Sequence, residues 1–327
     1  MIRYGPAGFQ YKDWEGVVYP LPKPPRFDPL AYIASYFDTC EINSTFYGPA
    51  RPSTVESWIR RVEHNPAFRF TAKLHQRFTH QRKEPWTQTE VDEVRAGMDP
   101  MMESGKLGAL LLQFPWSFRR TDETREWLDD VVTVFRDYPM VLEVRHASWN
   151  TPHFFDALAA RGIGFVNIDQ PLFKDSIKPS ALATAPVGYV RVHGRNYKDW
   201  FRENAGRDAR YDYLYTADEL KPWAERTKEI AAEPPTEDVF VVTNNHFRGK
   251  AAVNALMLKS MVEGRPVPAP PGLVAEYGES LEGFAHPAEP DAALREAALP
   301  RKWLLVTTKT SSVGGSAAIS FVRSAHG

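Results

Sequence analysis

Eight short runs of β-branched or apolar residues punctuate the chain: IRYG (2–5), TCEINSTFY (39–47), FRFTAKLH (68–75), GALLLQF (108–114), MVLEVRHA (140–147), GIGFVNID (162–169), VGYVRVH (187–193) and DVFVVTNN (238–245). Between most of them the apolar positions switch to helical spacing. SWIRRVEH follows Ser53-x-x-Glu56, a capping-box spacing, and EVDEVRAGM follows Thr89. ETREWLDDVVTVFRDY follows Thr121, Thr216-x-x-Glu219 opens ADELKPWAERTKEIAAE, and KAAVNALMLKSMVEG runs from Lys250. Strands alternating with helices predict βαβ units and a parallel sheet. Eight units over about residues 1–264 match an α/β fold of the (β/α)8 TIM-type barrel class, with a doubly wound open sheet as the alternative. The weakest element is the helix after the sixth run, because LFKDSIKPSALATAP carries two prolines.

Two segments break this rhythm. Residues 196–215, NYKDWFRENAGRDARYDYLY, form a long loop rich in aromatics and arginine; a loop of that length in a compact domain is usually functional or disordered, and its six aromatics argue against simple disorder. From about residue 265 the chain reads RPVPAPPG and later TTKTSSVGGSAA. That composition predicts a Pro-rich spacer and a loosely ordered C-terminal tail over 265–327, following a barrel domain over 1–264.

Parallel strands covered on both faces should be continuously apolar. Several here alternate instead. Glu41 and Asn43 share one face of the second run; Arg69, Thr71, Lys73 and His75 one face of the third; Glu143 and Arg145 one face of the fifth. Asn167 and Asp169 alternate with Val166 and Ile168, Arg191 and His193 with Val190 and Val192, and Thr243 and Asn245 with Val242. With helices on the outside, the polar set is expected to face the barrel axis. Burying charges costs several kcal/mol each unless they are paired. Three explanations stay open: a half-exposed antiparallel sheet, a structural ion-pair lattice, or an active-site floor at the C-terminal mouth.

Composition narrows the classes. Lys and Arg total 40 against 41 Asp and Glu, for a net charge of −1, which gives no electrostatic drive toward nucleic acid or anionic membranes. The single cysteine, Cys40, excludes an internal disulfide framework and a Cys-rich zinc module, and fits a reducing, cytoplasmic setting. No apolar stretch is long enough to span a bilayer, and MIRYGPAGFQ holds no apolar signal core. Aromatics at 13% and 27 prolines imply rigid, elaborated loops.

The runs EINSTFY (41–47), FRFTAKLHQRFTH (68–80), LLQFPWSF (111–118), LEVRHASW (142–149), YVRVHGRN (189–196) and TNNHFRGKAAVNA (243–255), in this order, resemble the YecE-like family, also called the domain of unknown function 72 family. The resemblance covers about residues 1–264 and implies a TIM-type barrel without a settled activity. One departure is Val-Thr-Asn-Asn at 242–245, where the family pattern has Tyr-Phe-Asn-Asn; the tail beyond about 280 has no counterpart in the family pattern.

Among chemistries, His75, Glu143, Asp169 and His193 are the available metal ligands, but Lys73, Arg145 and Arg191 sit on the same inner faces and oppose a cation. No protein-bound metal and no cofactor are therefore expected. The same three cations suit a phosphate or carboxylate, and Gly249 opens a helix whose N-terminal amides add an anion site. Glu41, Lys73, Glu143 and His193 are the expected acid–base groups, with His75 and His193 able to titrate near neutrality. Asn43, His75, Arg145, Trp149, Asp169, Arg191, Asn245 and Gly249 are the expected ligand contacts. Phe46, Tyr47, Phe114, Trp116, Trp149, Trp200 and Phe201 follow strand ends or lie in the long loop, where they can stack on a sugar or base or simply pack. The leading expectation is a metal-independent enzyme acting on a small anionic or sugar-like ligand. The alternatives are a metal-dependent barrel processing nucleic acid or sugars, in the manner of endonuclease IV-like or sugar-isomerase-like barrels, and a non-catalytic binding protein.

Overall fold

The computed structural model describes residues 1–198, 202 and 207–297. Every one of the eight apolar runs forms a strand: β1 Ile2–Pro6, β2 Thr39–Ile42, β3 Arg69–Lys73, β4 Leu107–Gln113, β5 Met140–Glu143, β6 Gly164–Asp169, β7 Val187–Val192 and β8 Asp238–Thr243. They pair in parallel in the order β1-β8-β7-β6-β5-β4-β3-β2. The ends of this sheet meet. The Asp38 N–H donates to the Tyr4 carbonyl (3.2 Å) and the Gly8 N–H to the Glu41 carbonyl (2.8 Å), bringing β2 against β1. Gly5 makes that contact possible, since a Cβ there would lie 1.8 Å from the Thr39 oxygen. The result is the expected TIM-type barrel.

Seven of the eight strands are followed by a helix outside the barrel, at Pro29–Ala34, Pro52–Arg61, Gln88–Glu103, Asp122–Val134, Pro152–Ala160, Ala217–Ala232 and Lys250–Glu263. The Thr216/Glu219 capping box forms as expected, whereas two other starts differ. The second of these helices begins at Pro52 with no side-chain cap, leaving Ser53 inside its first turn, and proline at that position supplies the helical φ instead. The third is capped by Thr87 paired with Glu90, not by Thr89. Between β6 and β7 there is no helix. Pro179 and Pro186 interrupt it, and Asn167 holds the replacing loop: its Oδ1 accepts from Ser180 Oγ (2.7 Å) and Leu182 N (2.8 Å), and its Nδ2 donates to the Leu182 carbonyl (2.9 Å).

The chain after the barrel is folded as far as Ala297, more tightly than its proline content suggests. Strands β9 Val267–Ala269 and β10 Ala285–Pro287 pair in parallel, and helices Pro271–Leu281 and Pro290–Ala297 accompany them. Val267, Ala269, Leu273, Leu281 and Ala293 are buried. This layer packs on the helix Lys250–Glu263, in which every residue from Ala251 to Ser260 is buried. A helix apolar on all sides needs cover on its outer face, and this segment provides it. Residues 298–327, with TTKTSSVGGSAA, lie outside the described residues, as do Trp200 and Phe201.

Candidate functional site at the C-terminal mouth of the barrel

Register decides which side chains face the axis. Thr71 pairs with Glu41 across β2 and β3, Lys73 with Leu111 across β3 and β4, and Gln113 with Glu143 across β4 and β5. Arg191 of β7 pairs with Ile168 on one side and Val242 on the other. The inward set therefore includes Glu41, Thr71, Lys73, Gln113, Glu143 and Arg191, joined by Arg145 and His193 just past the ends of β5 and β7.

Two strands run in the opposite phase to that expected. Val166 and Ile168 of β6, and Phe240 and Val242 of β8, share the inward face of Tyr189 and Arg191. Asn167, Asp169 and Thr243 consequently point outward. Asp169 pairs with Arg195 (2.9 and 3.1 Å), Thr243 Oγ1 donates to the Ala251 carbonyl (2.8 Å), and Asn245 donates to the Tyr213 carbonyl (2.7 Å) and to Asn254 Oδ1 (2.8 Å). These polar groups tie loops and helices to the barrel wall, so Asp169 and Asn245 do not join the site.

At the centre lies a buried charge lattice. Arg191 spans both acids: its Nη2 and Nε donate to the two Glu41 oxygens (2.6 and 2.9 Å), and its Nη1 donates to Glu143 Oε2 (2.8 Å) and Gln113 Oε1 (3.2 Å). Arg145 Nε and Nη2 both reach Glu143 Oε1 (2.9 and 2.8 Å). Beneath, the Tyr189 hydroxyl donates to Glu41 Oε2 (3.0 Å) and meets Thr71 Oγ1 at 2.9 Å. Glu41, Glu143 and His193 are fully buried and Arg191 is 1% exposed, so bulk solvent screens these contacts little. Burial by itself would raise the Glu143 carboxyl, but Arg191, His193 and Arg145 together outweigh it and hold the group well below the usual carboxylate range. His193 Nδ1 lies 3.2 Å from Asn244 Nδ2, and its Nε2 lies 3.3 Å from Glu143 Oε1 and 3.4 Å from both Arg145 Nη2 and Arg191 Nη1. Burial lowers His193 to about 3, so it stays neutral rather than titrating near pH 7 as the sequence suggested.

Lys73 stands apart from this lattice. Among the described residues it makes no close ion pair or hydrogen bond, Glu41 and Glu143 attracting it only from a distance; its Nζ sits 3.8 Å over the Phe46 ring. The short helix Ser44–Tyr47 places that ring: Thr45 Oγ1 donates to the carbonyls of Ile42 (3.0 Å) and Lys73 (2.7 Å), pinning the STFY turn over the end of β3. Burial, reinforced by Arg191, lowers Lys73 to about 7. Of the three inward cations expected, only Lys73 is thus left over, because the two guanidiniums and the two carboxylates satisfy each other.

Lys73 opens into a pocket of about 90 Å³ lined by Tyr11, Asn43, Tyr47, Gln113, Asn244 and His246, among others. Gln113 and Tyr211 are shared with a neighbouring pocket of about 260 Å³ that also contains His80, Trp116, Arg145 and Arg210. Burial, with Lys73 nearby, lowers His80 to about 4.

The remaining expected contacts lie elsewhere. His75 precedes the short helix Gln76–Thr79 and lies against Val94 and Met98 of the outer layer. Burial lowers its pKa. Trp149 is buried, donates to the Phe118 carbonyl (2.7 Å) and lines a groove of about 380 Å³ between two outer helices. Gly249 adopts φ 80° under Val18, whose Cγ2 a Cβ would approach to 2.7 Å, so it serves the turn into the last barrel helix. Sequence reasoning missed Gln113, Asn244, His80 and His246. Gln113, the polar residue closing the apolar β4, was the legible signal. Among the described residues Gln170, one residue past β6, is buried with neither amide atom hydrogen-bonded.

Among the described residues, no group of three His, Cys, Asp or Glu side chains is arranged to hold a metal ion, and no helix is long and apolar enough to cross a membrane. The fold and site define a TIM-type barrel with a sealed ion-pair floor and a single surplus amine above it. Residues 3–273 match the family described as "Protein of unknown function DUF72", and the chain belongs to that family. It is 31% identical over 276 residues to the UPF0759 protein YunF of Bacillus subtilis strain 168, covering 80% of this chain and 95% of the relative. Crystal structures of DUF72 family proteins are similar: one from Thermotoga maritima MSB8 (TM-score 0.68, 29% identity, 80% of this chain and 99% of that one). Another, from Enterococcus faecalis V583, gives a TM-score of 0.69 at 27% identity, with 80% and 95% coverage.

Proposed function

We propose that this chain is an enzyme that binds a small anionic or sugar-like ligand at the barrel mouth and acts on it through Lys73, without a protein-bound metal. The observation that carries this reading is the Lys73 amine, a base near neutrality that opens into a pocket and lacks an acidic partner among the described residues. Barrel enzymes place their chemistry at this face. Aromatic and amide walls suit a polyol, and the surplus positive charge suits an anion. Glu41 and Glu143 then act by fixing Arg191 and Arg145, since guanidinium groups take up both oxygens of each carboxylate. Those contacts speak against a metal-dependent nucleic-acid or sugar-processing barrel.

The test is calorimetric titration with ribose 5-phosphate, which is anionic and sugar-like at once. Wild-type protein should bind it, and Lys73→Met should lose at least about tenfold in affinity, or roughly 1.4 kcal/mol. Equal affinity in a folded Lys73→Met variant would sink the proposal.

A further inference from the structure

We infer that Lys73 is a nucleophile that forms an imine with an aldehyde or ketone bearing an anionic group. This rests on the proposed ligand site and names its substrate class. Three features of the geometry converge. The amine sits at the end of β3, above the sealed lattice, and opens into the small pocket. Its neighbours there are Asn43, Gln113 and Asn244, amides able to hydrogen-bond a carbonyl or hydroxyl oxygen without consuming the amine. The adjoining pocket presents Arg210 for the anionic end, and among the described residues Arg210 Nε is buried without a hydrogen-bond partner. The two pockets share Gln113 and Tyr211 and so adjoin, as a ligand reaching from one into the other requires.

The reaction balances without a redox partner. The Nζ lone pair bonds to the carbonyl carbon, and the C=O π pair moves to oxygen. One proton passes from nitrogen to that oxygen, giving a carbinolamine. A second proton, from solvent, lets the oxygen leave as water while nitrogen's remaining lone pair forms the C=N bond. Burial and a neighbouring cation are the two devices that keep a lysine unprotonated for this step. Burial and Arg191 act together on Lys73, holding it at about 7. At pH 7 about half of such an amine is free base, against roughly one part in three thousand for an ordinary lysine.

The experiment is reductive trapping of the full chain with glyoxylate or glycolaldehyde phosphate and sodium borohydride, followed by peptide mapping. Hydride from the borohydride reduces the imine to a stable secondary amine. The Lys73 peptide should carry the adduct at least about tenfold above the mean of the other lysines, with labelling rising through pH 7 rather than pH 10. Lys73→Arg, which keeps a charge and removes the nucleophile, should abolish that signal. Labelling spread evenly over the lysines would overturn the inference. Ribose 5-phosphate binding without Lys73 labelling would overturn the imine alone and leave the ligand site standing, whereas loss of both would overturn both. If Lys73→Arg fails to fold, the wild-type peptide map decides the matter.

Discussion

Arg191 and Glu41 form a two-pronged ion pair sealed inside the barrel, with contacts of 2.6 and 2.9 Å and neither side chain more than 1% exposed. The same guanidinium reaches Glu143, so one arginine neutralises carboxylates from β2 and β5 at opposite parts of the ring. Such an arrangement is as much a closure device as a binding group.

Arg191→Met should therefore destabilise the protein by about 3–5 kcal/mol, because both carboxylates would be left buried with fewer partners. Urea unfolding measures it. Adding Glu41→Gln to Arg191→Met should recover part of the loss, since one stranded charge is removed with it. A change within 1 kcal/mol for Arg191→Met would show that the lattice contributes little to the fold.

The barrel was legible because strand and helix periods differ sharply, and all eight apolar runs became strands. The floor was legible on β2, β3, β5 and β7, where one strand face alone carries charge. It failed on β6 and β8, because a strand polar on alternate positions does not announce which face meets the axis. Asn167 faces outward to replace a missing helix, and Thr243 to tie the last helix, neither of which is a pattern within the strand itself. The packed segment after residue 265 left a trace that prolines masked: the run AAVNALMLKS is apolar or small on every helical face, which signals cover on both sides.

Leu273→Ala tests that cover. Leu273 is fully buried in the helix Pro271–Leu281, beyond the last barrel helix. Truncation should cost about 2–5 kcal/mol, the range for a buried leucine. Thermal unfolding of the full chain with and without the substitution checks it; an unchanged midpoint would return this segment to the role of a spacer.

His193 makes the protein acid-sensitive in a defined window. Unfolded, it takes up a proton near 6.5; folded, not until about 3. The unfolded state therefore binds more protons between these values, and stability falls as the pH drops through them. Glu143, depressed when folded, adds the same sign at the acid end. His193→Asn should flatten the curve, removing a slope of up to about 1.4 kcal/mol per pH unit. Urea midpoints from pH 7 to pH 4 measure the difference, and parallel curves would show that His193 is protonated in the native state.

Lys73 reverses the usual expectation for a core charge, because removing it should strengthen the fold. Its ammonium is desolvated and lies beside Arg191, and the attraction of Glu41, Glu143 and the Phe46 ring does not make up for this. Folded, it loses its proton near 7; unfolded, near 10.5. Below about pH 7 both states hold the proton and the native state bears the full penalty. Between 7 and 10.5 the unfolded chain binds more protons, so wild-type stability rises with pH. Lys73→Met should stabilise the protein by about 0.5–2 kcal/mol at pH 7 or below, as substitutions at strained functional positions do. The gain should shrink toward pH 10.5 as the wild-type amine ceases to carry a charge in either state. A gain independent of pH would trace to better packing against Phe46. A loss at pH 7 would mean that the ammonium is stabilised in the folded protein, and the case for a poised amine at the mouth would fail with it.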